Sequence, residues 1–140
     1  MDVGLTHVAL PVTDPEASLA FYAKYAHMRV VHRRKSAETG HEVLWITDGT
    51  RPFVIVLIQM DSVDHPLRPL AHLGVGCATR GEVDRLADQA AQEQCLVSPP
   101  LDSGYPVGYW TLIRDPDGHT LELAHGQEVA LAVREGEDRE

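Results

Sequence analysis

The chain has 140 residues, 44% of them hydrophobic and 24% charged, enough for one compact domain with a buried core. A formal net charge of -9 excludes a nucleic-acid partner, which would need clustered lysine and arginine, and the short basic run His32-Arg33-Arg34-Lys35 reads as a solvated strand end. No stretch of 18 apolar residues occurs, which excludes a membrane-spanning helix, and Cys77 and Cys95 alone do not make a disulfide scaffold.

No basic segment followed by an apolar one opens the chain, so no secretory signal is expected and the reading is a cytoplasmic protein with reduced thiols. Thr6-His7-Val8-Ala9-Leu10 predicts a first strand. Thr13-Asp14-Pro15-Glu16 then reads as a Thr-x-x-Glu capping box, and Leu19, Tyr22, Ala23 and Ala26 follow at the spacing of one helix face. Strands are expected at Arg29 to His32, Glu42 to Thr47 and Phe53 to Ile58. The pattern then repeats. Ala71-His72-Leu73-Gly74-Val75 echoes the first strand, and Thr79-Arg80-Gly81-Glu82 repeats the capping box. Val83, Leu86, Ala87 and Ala90 form the matching helix face. Leu96 to Ser98, Tyr109 to Arg114 and His119 to Ala124 are the remaining strands. Pro99 to Pro106 reads as a loop, and Asp115-Pro116-Asp117-Gly118 as a tight turn. The predicted fold is therefore α+β, two βαβββ modules at residues 1–60 and 71–126. A linker spans 61–70, and the acidic tail at 127–140 reads as solvated or frayed, with no chemistry assigned to it.

Strand side chains alternate between faces. On three strands the large apolar residues fall on one side: Val8, Leu10 and Val12; Leu73, Val75 and Cys77; Leu121 and Leu123. The ionisable residues His7, His72 and Glu122 fall on the other side, beside small neighbours such as Ala9, Gly74, Gly76 and Ala124. Two imidazoles and one carboxylate in such positions suit an open metal site. Each of the three taken singly is also compatible with a surface or hydrogen-bonded role.

These motifs, with Phe21-Tyr22 on the first helix and Asp115-Pro116-Asp117-Gly118-His119-Thr120-Leu121-Glu122-Leu123, resemble the vicinal oxygen chelate superfamily. Its members include glyoxalase I, bleomycin resistance proteins, extradiol dioxygenases and fosfomycin resistance enzymes. The resemblance covers roughly residues 4 to 126 and implies paired βαβββ modules whose sheets curl around a metal or ligand cavity. It implies His7, His72 and Glu122 as ligands to a divalent ion (Fe, Mn, Ni, Co or Zn), with Glu122 also serving as a catalytic base. Glu38, His41 and Glu42 are further candidates for a base.

The chain departs from that pattern in two places. A fourth ligand of glyoxalase I, a glutamate in the last strand of the first half, is replaced here by Ile55 or Val56. A tyrosine shared by extradiol dioxygenases and fosfomycin transferases, ten residues before the final glutamate, is replaced by Leu112. Trp45 and Trp110 either line a substrate pocket or fill the core, and Tyr105 and Tyr109 either rim that pocket or sit in a solvated loop. The expected function is a metal-dependent lyase or isomerase acting on a small substrate with adjacent oxygens. The alternatives are a small Fe(II) dioxygenase or a non-catalytic binding or resistance protein. Exposed sheet edges predict a homodimer.

Overall fold

The computed structural model describes residues 3–139. Among them, three helices and two four-stranded mixed sheets form two similar βαβββ modules, an α+β fold. The first module runs β1 (His7–Val12), α1 (Pro15–Ala26), β2 (Arg29–Lys35), β3 (Glu42–Thr47) and β4 (Val54–Gln59), with sheet order β1-β4-β3-β2. The second runs β5 (Leu73–Gly76), α2 (Arg80–Gln92), β6 (Leu96–Asp102), β7 (Tyr109–Arg114) and β8 (Thr120–His125), with the equivalent order β5-β8-β7-β6. In each sheet the first strand pairs in parallel with the last, and the other pairs are antiparallel. A third helix, α3 (Val129–Glu137), follows. The chain divides into two compact units. One holds the chain up to Pro66 together with the turn Asp115–Gly118, and the other holds Leu67–Arg114 and the chain from His119 on.

In the first unit α1 is capped one residue later than the capping box predicts. Pro15 takes the first helical position, where its missing N–H costs nothing. Asp14 therefore becomes the cap, its Oδ1 accepting from the backbone N–H groups of Glu16 at 3.1 Å and Ala17 at 3.2 Å. Thr13 instead donates its hydroxyl to Asp117 at 2.7 Å. The buried face is also rotated. Ser18, Phe21, Tyr22, Tyr25 and Ala26 are buried, while Ala23 is exposed and Leu19 half-buried. The aromatic side chains carry the largest apolar area and decide which stripe turns inward. Phe21 lies 5.1 Å from Tyr22 and 4.9 Å from Tyr25 between ring centroids. They pack with Leu10, Val12, Leu44, Ile46 and Leu57 as the core of this unit.

In the second unit α2 follows the expectation closely. Thr79 accepts from Glu82 N–H at 3.1 Å, and Val83, Leu86, Ala87 and Ala90 are the buried face. One expectation fails here. The strand expected to stop at Ser98 continues through Pro99 and Pro100 to Asp102. Prolines are tolerated because β6 is an edge strand, and its register against β7 shifts between Ser98 and Leu101. The tail, expected to be solvated or frayed, is solvated but helical: α3 buries no side chain, and Ala130, Leu131, Ala132, Arg134 and Glu135 favour the helix.

Candidate functional site

In the first unit strand register gathers the polar and aromatic candidates on one sheet face. His7 pairs with Val54 and Ala9 with Val56 across β1 and β4. Val56 pairs with Trp45, and Trp45 with His32. Alternation puts these residues and Arg34 on the face opposite α1. A cavity of about 420 Å³ opens there, lined by Thr6, His7, Arg34, Trp45, Pro52, Val54 and Val56. Trp45 is 37% exposed, so it is a cavity wall and not core. Its ring sits 4.8 Å from the His32 ring, and the Arg34 guanidinium lies 5.9 Å from its centroid. The His7 Nδ1 is 2.9 Å from the Thr6 hydroxyl.

In the second unit Glu122 stands on β8, the strand between β5 and β7, where it pairs with Gly74 on one side and Leu112 on the other. Glu122 is only 9% exposed. A Cβ at Gly74 would come within 3.4 Å of its Oε2, so the glycine leaves the space that the carboxylate uses. Gln127 donates to Oε2 at 3.3 Å. Two residues before Gly74, His72 lies just ahead of β5 and not within it as predicted. Its Nδ1 is 2.8 Å from the Pro69 carbonyl. A carbonyl only accepts, so Nδ1 carries the proton and a neutral His72 presents the Nε2 lone pair. An imidazole fixed through one nitrogen in this way is the usual preparation of a metal-ligating histidine. Trp110, two residues from Leu112 on the same face, is half-buried and donates its indole N–H to the Ser103 hydroxyl at 2.9 Å.

A family model, the Glyoxalase/Bleomycin resistance protein/Dioxygenase superfamily, matches residues 4–123. The chain belongs to this superfamily. It is 38% identical over 130 residues, 91% of either chain, to the uncharacterized protein PA2024 of Pseudomonas aeruginosa. Among solved structures it is similar to the fosfomycin resistance protein FosX of Listeria monocytogenes, complexed there with Mn(II) and a dihydroxypropylphosphonic acid. That likeness has a TM-score of 0.73 at 19% identity and covers 95% of this chain and 99% of FosX. It is also similar to the trypanothione-dependent glyoxalase I of Leishmania major, with a TM-score of 0.72 at 19% identity over 99% and 97% of the chains. A possible glyoxalase from Bacillus cereus gives 0.65 at 25% identity over 88% and 99%.

Within this superfamily member, the three expected ligands fall in different units: His7 in the first, His72 and Glu122 in the second. Among the described residues no group of three or more His, Cys, Asp or Glu side chains is placed to hold a metal ion. The donor types nonetheless fit a divalent cation: a buried carboxylate opposite glycine, and two imidazoles engaged through Nδ1. Register also settles the missing fourth carboxylate. Val56 holds the place in β4 that Glu122 holds in β8, since Ala9-Val56-Trp45 matches Gly74-Glu122-Leu112.

The alternative bases are engaged elsewhere or solvated. Glu42 meets Arg33 at 3.4 Å, His41 Nε2 lies 3.6 Å from Asp61, and Glu38 is exposed. The Tyr105 hydroxyl donates to Glu135 at 2.9 Å, and that of Tyr109 to Asp84, beneath the Arg80 guanidinium. Hydrogen bonding to these carboxylates raises both phenols above their usual range. Sequence reasoning passed over Arg34, taken as part of a solvated strand end. Alternation alone puts His32 and Arg34 on one face of β2, and the pairing of His32 with Trp45 shows that this is the cavity face.

Proposed function

We propose that this protein is a divalent-metal enzyme that binds a small substrate through two adjacent oxygens and performs lyase or isomerase chemistry. His7, His72 and Glu122 are the proposed ligands, with Trp45 and Trp110 as apolar walls of the substrate site. The observation that carries the reading is His72. Its Nδ1 is committed to the Pro69 carbonyl, its Nε2 has no partner among the described residues, and its module also holds a buried carboxylate opposite glycine.

A bound ion (Fe, Mn, Ni, Co or Zn) would act as a Lewis acid on the chelated oxygens. Around it Glu122 does the proton work. Its Oε2, held by Gln127 at the edge of hydrogen-bond range, is the atom that accepts a proton from substrate carbon. The exposed indole of Trp45 keeps water from one side of the substrate. The enzyme is proposed to act as a homodimer in the cytoplasm, with Cys77 and Cys95 as free thiols.

Chelator-stripped protein titrated with Mn(II) and with Zn(II) in a calorimeter tests this. One ion per chain is expected, and His72→Ala or Glu122→Gln should weaken binding at least about 100-fold without unfolding the protein. Absence of stoichiometric binding, or unchanged affinity in both variants, would refute the ligand set and leave a metal-free binding protein. Mixing His7→Ala with His72→Ala chains reports the origin of the ligands. Recovery of one site per mixed dimer means a site shared between two chains, and no recovery means a site within one.

A further inference from the structure

We propose that the cavity on the first sheet recognises an anionic ligand with a flat apolar body, Arg34 holding the acidic group and Trp45 stacking on the body. This rests on the proposed function only for His7 as a metal ligand at one end of the cavity; the recognition itself belongs to the first unit. The cavity wall is apolar on one side, with Pro52, Val54 and Val56, and aromatic on the other. A volume of about 420 Å³ suits a one- or two-ring molecule and not a peptide.

Arg34 supplies the charge. The neighbouring Arg33 is turned to the helix side, where it is neutralised by Glu16 at 2.6 Å and Glu42 at 3.4 Å. Arg34 carries no ion pair among the described residues and lies over the Trp45 ring instead. In a chain of net charge -9 with 21 acidic residues, an arginine left without a carboxylate beside an apolar cavity is available to a ligand's anion. No Asp or Glu lines the cavity to oppose it. The cation–π contact with Trp45, 5.9 Å to the ring centroid, holds the guanidinium beside the cavity, where it can bind a carboxylate or phosphonate through two N–H groups.

The test uses chelator-stripped full-length protein carrying Trp110→Phe, so that tryptophan fluorescence reports Trp45 alone. 1-Naphthoate and its neutral analogue 1-naphthamide are the probes. Naphthoate should bind at least about 10-fold more tightly than the amide, the worth of one charge-assisted hydrogen bond. Arg34→Gln should erase that preference, Arg34→Lys should retain part of it, and Arg33→Gln should leave it intact. Equal binding of the two probes, or a preference that survives Arg34→Gln, would overturn the proposal. Because no metal is present, failure of the ligand set at His72 and Glu122 leaves this result standing, and the reverse holds too.

Discussion

Tyr22→Phe isolates the buried hydrogen bond that anchors the Asp115–Gly118 turn. Tyr22 is fully buried and Asp115 only 4% exposed, and the phenol donates to Oδ2 at 2.8 Å. Asp115 Oδ1 meanwhile accepts from Asp117 N–H at 2.9 Å. Phenylalanine keeps the ring and its contacts with Phe21, so no cavity opens. What is lost is one charge-assisted bond, about 2 kcal/mol, which for a domain of this size lowers the melting temperature by roughly 8 °C. Burial first, and the Asp115 charge second, push the Tyr22 phenol far above its unfolded value of 10.0. The sign of the pH effect follows. The stabilisation is whole below pH 10, and it declines at higher pH because the unfolded chain ionises there while the folded chain does not. At about pH 11 the wild type has lost about 1.4 kcal/mol through this group. The gap between wild type and Tyr22→Phe should therefore shrink from about 2 to about 0.6 kcal/mol between about pH 8 and about pH 11. Tyr105 and Tyr109 are present in both proteins and cancel. Urea unfolding at the two pH values measures the gap. Parallel curves, or a cost at neutral pH below about 0.5 kcal/mol, would refute the account of this bond.

Gly108→Ala should be far costlier than Gly104→Ala. Both glycines have positive φ, +83° and +70°, but a Cβ at Gly108 would meet the His125 carbonyl oxygen at 2.4 Å whereas one at Gly104 meets nothing within 4 Å. Denaturant titration should give about 3 kcal/mol or more for the first and about 1 kcal/mol for the second. Asp14→Ala and Thr79→Ala each remove the side-chain cap of a module's helix and should each cost about 1 kcal/mol. Thr13→Val, by contrast, should leave the α1 cap intact and lose only the Asp117 hydroxyl contact. Equal loss of helix stability in Thr13→Val and Asp14→Ala would restore the Thr-x-x-Glu reading.

The repeat, the module order and the second helix were legible because each rests on periodicity, and Val83, Leu86, Ala87 and Ala90 obey it without competition. The first helix was misread by one position at its cap and on its buried face. Pro15 and the Phe21-Tyr22-Tyr25 cluster override the simpler template there, and local spacing does not weigh residue size. The Pro-Pro edge strand was hidden because a proline breaks a central strand but not an edge one, and strand order is a long-range property. Strand faces came through well: Leu10, Val12, Leu121 and Leu123 are buried while His7 and Ala9 are exposed. The exception is β8, where Thr120, Glu122 and Ala124 are buried as well. His72 stood out through its echo of His7 and Glu122 through the alternation of its own strand, but the bond that orients His72 runs to Pro69, inside a linker that carried no periodic signal. Arg34 was missed because a basic run read residue by residue conceals that its members face opposite ways.

The two sheets also show why one of them carries a carboxylate and the other does not. Across each sheet runs an equivalent rung of four residues: Ala9-Val56-Trp45-His32 in the first and Gly74-Glu122-Leu112-Ser98 in the second. A buried carboxylate needs space and a donor. The second rung gives space through glycine at the parallel neighbour and no ring at the antiparallel one, and Gln127 gives the donor. The first rung lacks the space. Ala9 replaces glycine, and Trp45, tilted against the His32 ring, occupies the room beside Val56. A valine at this place leaves an apolar floor for the cavity. Val56 in place of a carboxylate and the aromatic, cation-flanked cavity thus belong to the same rung of the first module. The first rung is apolar and aromatic, and the second accommodates a buried charge.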